Sequence, residues 1–148
     1  MKLRTLCVAL CCGVIFFAAC KKKDNSSPTK KLLLAGKWQL SGRVATTTYM
    51  GKDTTIDVYP MTDACDKDDF ILFADNGNGT VDESADKCAD DQQIENFTWV
   101  LLNNDTRLAI MDSNPDTMDL EITGTQMHVK ITTTNSSGVP LIYSETYK

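Results

Sequence analysis

The sequence predicts an all-β domain over residues 32–148, built as an antiparallel barrel or sandwich. Three observations point there. Short alternating or β-branched runs recur about every ten residues, with turn residues between them. Asp75-Asn76-Gly77-Asn78-Gly79 sits between Phe70-Ile71-Leu72-Phe73 and Thr80-Val81-Asp82, a strong hairpin signal. The two domain cysteines, Cys65 and Cys88, lie equally far from that turn.

The chain opens on a different kind of segment. Met1-Lys2-Leu3-Arg4 is a basic head, and Cys7 to Ala19 is an apolar run. Ala18-Ala19-Cys20 then gives way to Lys21-Lys22-Lys23. A basic head, a short apolar stretch and small residues before a break make a secretory signal. The run is shorter than the roughly 20 residues that span a bilayer. An uncleaved anchor, or cleavage without lipid, are the alternatives. With a cysteine at the break, the segment resembles a bacterial lipoprotein signal. That resemblance implies cleavage after residue 19, lipid on Cys20 and attachment to the outer membrane. Cys7, Cys11 and Cys12 would leave with the peptide.

Residues 20–31 read as a flexible tether, polar and without a core-forming residue after Cys20. The 117 residues that follow suffice for one domain with a core. The tether carries five lysines against one aspartate, whereas the domain carries eight Lys or Arg against nineteen Asp or Glu. So acidic a body disfavours nucleic acid, whose phosphates need basic patches. The basic tether suits anionic headgroups, or serves as a solvated spacer.

Within the domain, a helical turn over 31–35 precedes the first strand. Trp38 and Leu40 share one face of Lys37–Leu40, and Arg43–Tyr49 is rich in Val and Thr. Thr54–Tyr59 is next, ending at Pro60. Asp86–Gln93 offers a possible second helix. Phe97–Leu102 and Arg107–Met111 are strands joined by Asn103-Asn104-Asp105, and Asp112-Ser113-Asn114-Pro115 closes the second. Met118–Ile122 and Met127–Ile131 alternate cleanly, and Leu141–Tyr147 is the last run. No internal repeat recurs at a fixed period.

A hairpin turning at Asn76-Gly77 would place Phe70 opposite Glu83, Leu72 opposite Val81 and Cys65 opposite Cys88. In an oxidising compartment two cysteines of a small domain pair. Closing a loop of this length stabilises by about 3 kcal/mol in the chain-entropy model. Two thiolates without a nearby histidine make a poor zinc set. No Cys-x-x-Cys spacing in the domain supports a redox role.

Gly36-Lys37-Trp38 after a helical turn looks like the opening of lipocalins, in which the Trp closes the bottom of the barrel. More specifically, the chain resembles lipocalin-like lipoproteins of the Bacteroidetes type. The matching features are the leader, Gly36-Lys37-Trp38, Cys65-Asp66-Lys67-Asp68-Asp69, Phe73 before Asn76-Gly77, Asp82-Glu83, Cys88 and the strand around Trp99. The resemblance implies an eight-stranded antiparallel barrel behind a short N-terminal helical turn. The chain is shorter than true lipocalins and lacks their Thr-Asp-Tyr segment. An eight-stranded barrel is either filled by side chains or holds one small molecule.

Catalytic signals are sparse. The single histidine, His128, shares a face with Lys130 and has no nucleophile motif beside it. There is no Gly-rich phosphate loop and no paired-histidine metal spacing. Residues 63–95 hold eleven Asp or Glu, among them Asp66, Asp68, Asp69, Asp82, Glu83, Asp86, Asp90 and Asp91. Such oxygen donors suit calcium, although the stretch fails the EF-hand template. A solvated acidic face is the plainer reading. Thr54 and Thr117, each after an aspartate, resemble O-glycan acceptors of that bacterial group.

The expected function is therefore non-enzymatic and needs no cofactor. The first reading is a small apolar or amphipathic ligand bound in the barrel by Trp38, Leu40, Trp99, Leu101, Leu120 and Ile122. The second is a filled barrel whose acidic loops contact an envelope protein or glycan.

Overall fold

The computed structural model describes residues 26–89, 91–111 and 115–148. The predicted leader, the lipidation site Cys20, Asp90 and the turn residues 112–114 lie outside the described residues. In chain order the elements are α1 (Pro28–Ala35), β1 (Lys37–Tyr49), β2 (Lys52–Asp57), a 3₁₀ turn (Tyr59–Met61) and α2 (Ala64–Lys67). Then follow β3 (Phe70–Phe73), β4 (Asn78–Asp82), β5 (Ile94–Leu102), β6 (Arg107–Ile110), β7 (Asp116–Thr123), β8 (Gln126–Thr134) and β9 (Pro140–Tyr147).

Strands β3 to β9 neighbour one another in sequence order, all antiparallel. β1 closes the ring. It pairs with β3 through Lys37–Gln39 and with β9 through Leu40–Thr47. The result is a closed eight-stranded antiparallel barrel. β2 pairs only with the outer half of β1 and stands outside the ring, every residue exposed.

β1 is one strand where the sequence reading has two runs. Ser41-Gly42 does not interrupt it, because a bulge between Leu40 and Gly42 absorbs the irregularity. An extra residue at a bulge shifts the inward phase. Trp38 and Leu40 point inward, and Arg43 follows them there, opposite Glu145.

The 70–82 hairpin corrects the predicted register by one residue. Phe70 faces Asp82 and Ile71 faces Val81. The cause is the turn. Ala74 N–H donates to Asn78 O, Gly77 N–H donates to Ala74 O, and Gly77 has φ +81°. That is a three-residue loop with a glycine in the left-handed region, one residue longer than the two-residue Asn-Gly turn. Cys65 and Cys88 lie beyond the ladder, where α2 and the 83–93 loop bring their Cα atoms to 5.2 Å, and the disulfide forms. Asp86–Gln93 is not helical among its described residues. Thr54–Tyr59 is shortened to Asp57, because Tyr59-Pro60-Met61 winds into the 3₁₀ turn.

α1 starts at Pro28, inside the segment predicted as tether. Ser27 Oγ accepts from Lys30 N–H, and Pro28 follows it in the first turn, where its missing donor costs nothing. Lys30 reaches Asp75 at 2.5 Å. α1 packs against β3 and β7 and plugs one end of the barrel with Leu33, which is fully buried. Trp38 Nε1 donates to Leu33 O at 3.0 Å. Gly36 makes this possible, since a Cβ there would overlap the Trp38 indole. The Gly-x-Trp pattern is thus a packing solution for closing the barrel end.

Candidate functional site

The core splits into a closed end and an open one. At the closed end Leu33, Trp38, Trp99, Leu120 and Met127 are buried, with Leu101 and Ile122 packed against them. Trp99 is fixed by Nε1 donating to Asn78 O at 2.8 Å and by an edge-on contact with Phe73, ring centres 5.4 Å apart. Phe73 also meets Phe97 edge-on at 5.6 Å.

Above this plug lies a cavity of about 330 Å³. Its apolar wall comes from alternate inward residues: Ile71 and Phe73 on β3, Val81 on β4, Phe97 on β5, Leu108 and Ile110 on β6. Met118, Met127, Val129 and Ile131 complete it. Polar groups are few. Glu145 and Tyr147 line one side, and Glu95 and Asn96 stand on exposed positions of β5. A volume near 300 Å³, apolar walls and few polar groups match the lower end of small-molecule sites. A larger depression of about 450 Å³ crosses the β3–β5 wall, involving Leu72, Thr80, Asn96, Thr98 and Met111. Most of the residues lining it are exposed, so the apolar-walled cavity inside the barrel is the better binding site.

None of the six residues predicted as ligand-lining borders the 330 Å³ cavity. The inward phase of Trp38, Leu40, Trp99, Leu101, Leu120 and Ile122 holds, but their height along the barrel does not. Trp38, Trp99, Leu101, Leu120 and Ile122 fill the plugged end. Leu40 is buried and borders a smaller recess of about 190 Å³ with Arg43, Asp66, Asp69, Ile71, Val81 and Tyr147.

The interior polar group was not legible in the sequence. Arg43 Nε donates to Glu145 Oε1 at 2.8 Å, and Tyr147 Oη donates to Glu145 Oε2 at 2.6 Å. Both oxygens of this buried carboxylate are therefore satisfied, as a buried charge requires. Burial first, and the Glu145 charge second, hold the Tyr147 phenol above its ordinary range. Tyr147 thus stays neutral and donates.

The acidic loops sort into groups with different tasks. Asp82 Oδ1 accepts from Ser84 N–H and Gln93 Nε2, and Asp68 Oδ2 accepts from Ala85 and Asp86 N–H. These oxygens fold the 83–93 loop. Glu83 is buried. The Asp69 carboxyl is pushed up to about 6, first by burial and then by the charges of Glu83, Asp66, Asp68 and Asp91. His128, half-buried on the outer face, contacts Thr146 Oγ1 through Nδ1 at 3.3 Å. Thr54 is exposed on β2, and Thr117 is half-buried on β7.

No helix among the described residues is long and apolar enough to cross a membrane. Comparison with curated proteins and with solved structures found no match. The family model of the lipocalin-like domain matches residues 34–129, from the end of α1 into β8. The match spans more than half of the chain and falls on a closed barrel plugged by Trp38, so the chain belongs to the lipocalin-like domain family.

Proposed function

We propose that the protein is a non-enzymatic binder of one small apolar or amphipathic molecule, held at the outer membrane by lipid on Cys20. The observation that carries the binding function is the apolar-walled cavity of about 330 Å³ above the Trp38–Trp99 plug. Lipocalin-like barrels suit such a role, because eight strands leave room for one small ligand. The polar groups narrow its chemistry. Both Glu145 oxygens are taken, and Arg43 gives its Nε to Glu145. Glu95 adds negative charge to the lining. A neutral or cationic head fits these surroundings better than an anionic one.

The leader supports the anchor, with its small residues before Cys20. The basic residues after Cys20 would hold the acidic barrel near anionic headgroups. Native mass spectrometry of protein taken from its own membranes tests both parts. The reading expects a mass that includes lipid and a second, non-covalent species lost on denaturation. A bare, unliganded barrel would instead favour contacts with an envelope protein or glycan through the acidic loops. The same intact mass reports any glycan on Thr54 or Thr117.

A further inference from the structure

β1 and β3 part early. They pair only through Lys37–Gln39, and from Val44 onward β1 has β2 as its neighbour on the edge away from β9. The chain between β2 and β3 bridges the interval. Tyr59 Oη donates to Leu40 O at 3.4 Å, Val58 N–H donates to Arg43 O, and Gln39 Nε2 donates to Lys67 O. The 3₁₀ turn and α2 thus stand where a longer β3 would otherwise close the wall. The recess of about 190 Å³ lies at this interval, with Leu40 as an apolar side and Arg43, Asp66 and Asp69 as a polar one. Ile71, Val81 and Tyr147 line both this recess and the 330 Å³ cavity, so the two spaces adjoin there.

Asp69 lines the recess with a polar atom that the fold leaves unused. Its Oδ1 is buried and has no hydrogen-bond partner among the described residues. A buried acceptor left unpaired costs free energy that a bound donor would recover. Arg43, in the same wall, gives its Nε to Glu145 Oε1, and a guanidinium carries further N–H donors. One small space thus offers both an acceptor and donors. Arg43 opposes a cationic head there, and Asp66 and Asp69 oppose an anionic one. A hydroxyl suits both sides, because it donates one hydrogen bond and accepts others without bringing a charge out of water. We infer that the barrel takes a neutral amphiphile with a hydroxyl head, its apolar chain in the 330 Å³ cavity and its hydroxyl in the recess, donating to Asp69 Oδ1. The chain would pass between Ile71, Val81 and Tyr147. Asp69 is then the residue that sets head-group specificity. The inference rests on the cavity reading above and adds the chemistry and the place of the head.

The test is displacement of a neutral naphthylamine probe from the protein by four amphiphiles of one chain length: decanol, decyl methyl ether, decylamine and decanoate. The ether keeps the oxygen acceptor and lacks the donor. The titrations are run at about pH 8, where the Asp69 carboxyl is ionised. Decanol should displace the probe about tenfold more strongly than the ether, the worth of one hydrogen bond to a charged group. It should also outcompete the amine and the carboxylate. In Asp69→Ala, checked for its fold by circular dichroism, the probe should still bind while the preference for alcohol over ether disappears. The comparison of the four amphiphiles on the wild type stands even where that variant does not fold. Equal displacement by alcohol and ether would mean that the recess holds only water, and would overturn the inference while leaving the cavity reading intact. So would an unchanged preference in a folded Asp69→Ala, or tighter binding of the amine or the carboxylate. A probe that does not bind the wild type at all would overturn the cavity reading and this inference with it.

Discussion

Arg43 and Glu145 face each other across β1 and β9 inside the barrel, Nε to Oε1 at 2.8 Å. The pair exists because the β1 bulge turns Arg43 inward, and Tyr147 satisfies the remaining Glu145 oxygen. Removing one partner leaves a buried charge uncompensated, which costs about 3–5 kcal/mol in a fully buried pair. Arg43 keeps a third of its side chain exposed at 32 %, so the cost here should be smaller, about 1–3 kcal/mol. Arg43→Met should lower stability in urea by that amount. The double variant Arg43→Met with Glu145→Met should recover most of it. A double variant no better than the worse single one would contradict the pairing.

Gly36→Ala should disturb the plug. The added methyl would overlap the Trp38 indole, which is held by Leu33 O. Overpacking of this kind costs about 1–3 kcal/mol. Thermal melting should show the loss, and tryptophan emission should shift to the red as Trp38 gains water. Wild-type stability and unshifted emission would show that Gly36 is not needed for room.

Replacing Cys65 and Cys88 together by serine should cost about 3 kcal/mol, the loop-closure value for a bridge spanning 23 residues. The circular dichroism of the folded state should stay that of a barrel, since both cysteines lie outside the β3–β4 ladder. Urea unfolding checks the magnitude. A variant as stable as the wild type would mean that the bridge constrains nothing that folding must order.

Asp69 sets a pH dependence of defined sign. Its carboxyl binds a proton more tightly in the folded chain, at about 6, than at its ordinary 3.8. The stabilisation from this proton is complete below about pH 4 and is lost as the pH rises through about 6. Asp69→Asn should therefore melt above the wild type near pH 7, with the gap closing towards pH 4. A gap that does not change with pH would contradict it.

Much of the barrel is written in local patterns. Alternation at Met118–Ile122 and Met127–Ile131 marks β7 and β8 directly, and Asn76-Gly77 marks the β3–β4 turn. What alternation lacks is height along the barrel, which depends on strand offset between distant neighbours. That is why Trp99 and Leu120 are correctly inward and yet lie in the plug rather than around the cavity. Bulges hide the rest. A strict two-residue period carries Trp38 and Leu40 on to Gly42, so Arg43 reads as outward until the register shift with β9 is seen. Glu145 left a fainter trace, standing in phase between Tyr143 and Tyr147. The three-residue loop at Asp75–Gly77 is a similar case, because Asn-Gly occurs in both two- and three-residue hairpins.

The central claim is that the 330 Å³ cavity takes an apolar molecule. The most direct measurement is titration of the protein with a neutral naphthylamine probe whose emission rises in apolar surroundings. It is run on the wild type and on Ile131→Trp, whose larger side chain would occupy the cavity. Saturable enhancement at one probe per wild-type chain, reduced at least tenfold in a folded Ile131→Trp, is the predicted result. No enhancement with the wild type, or equal binding by a folded Ile131→Trp, would contradict it.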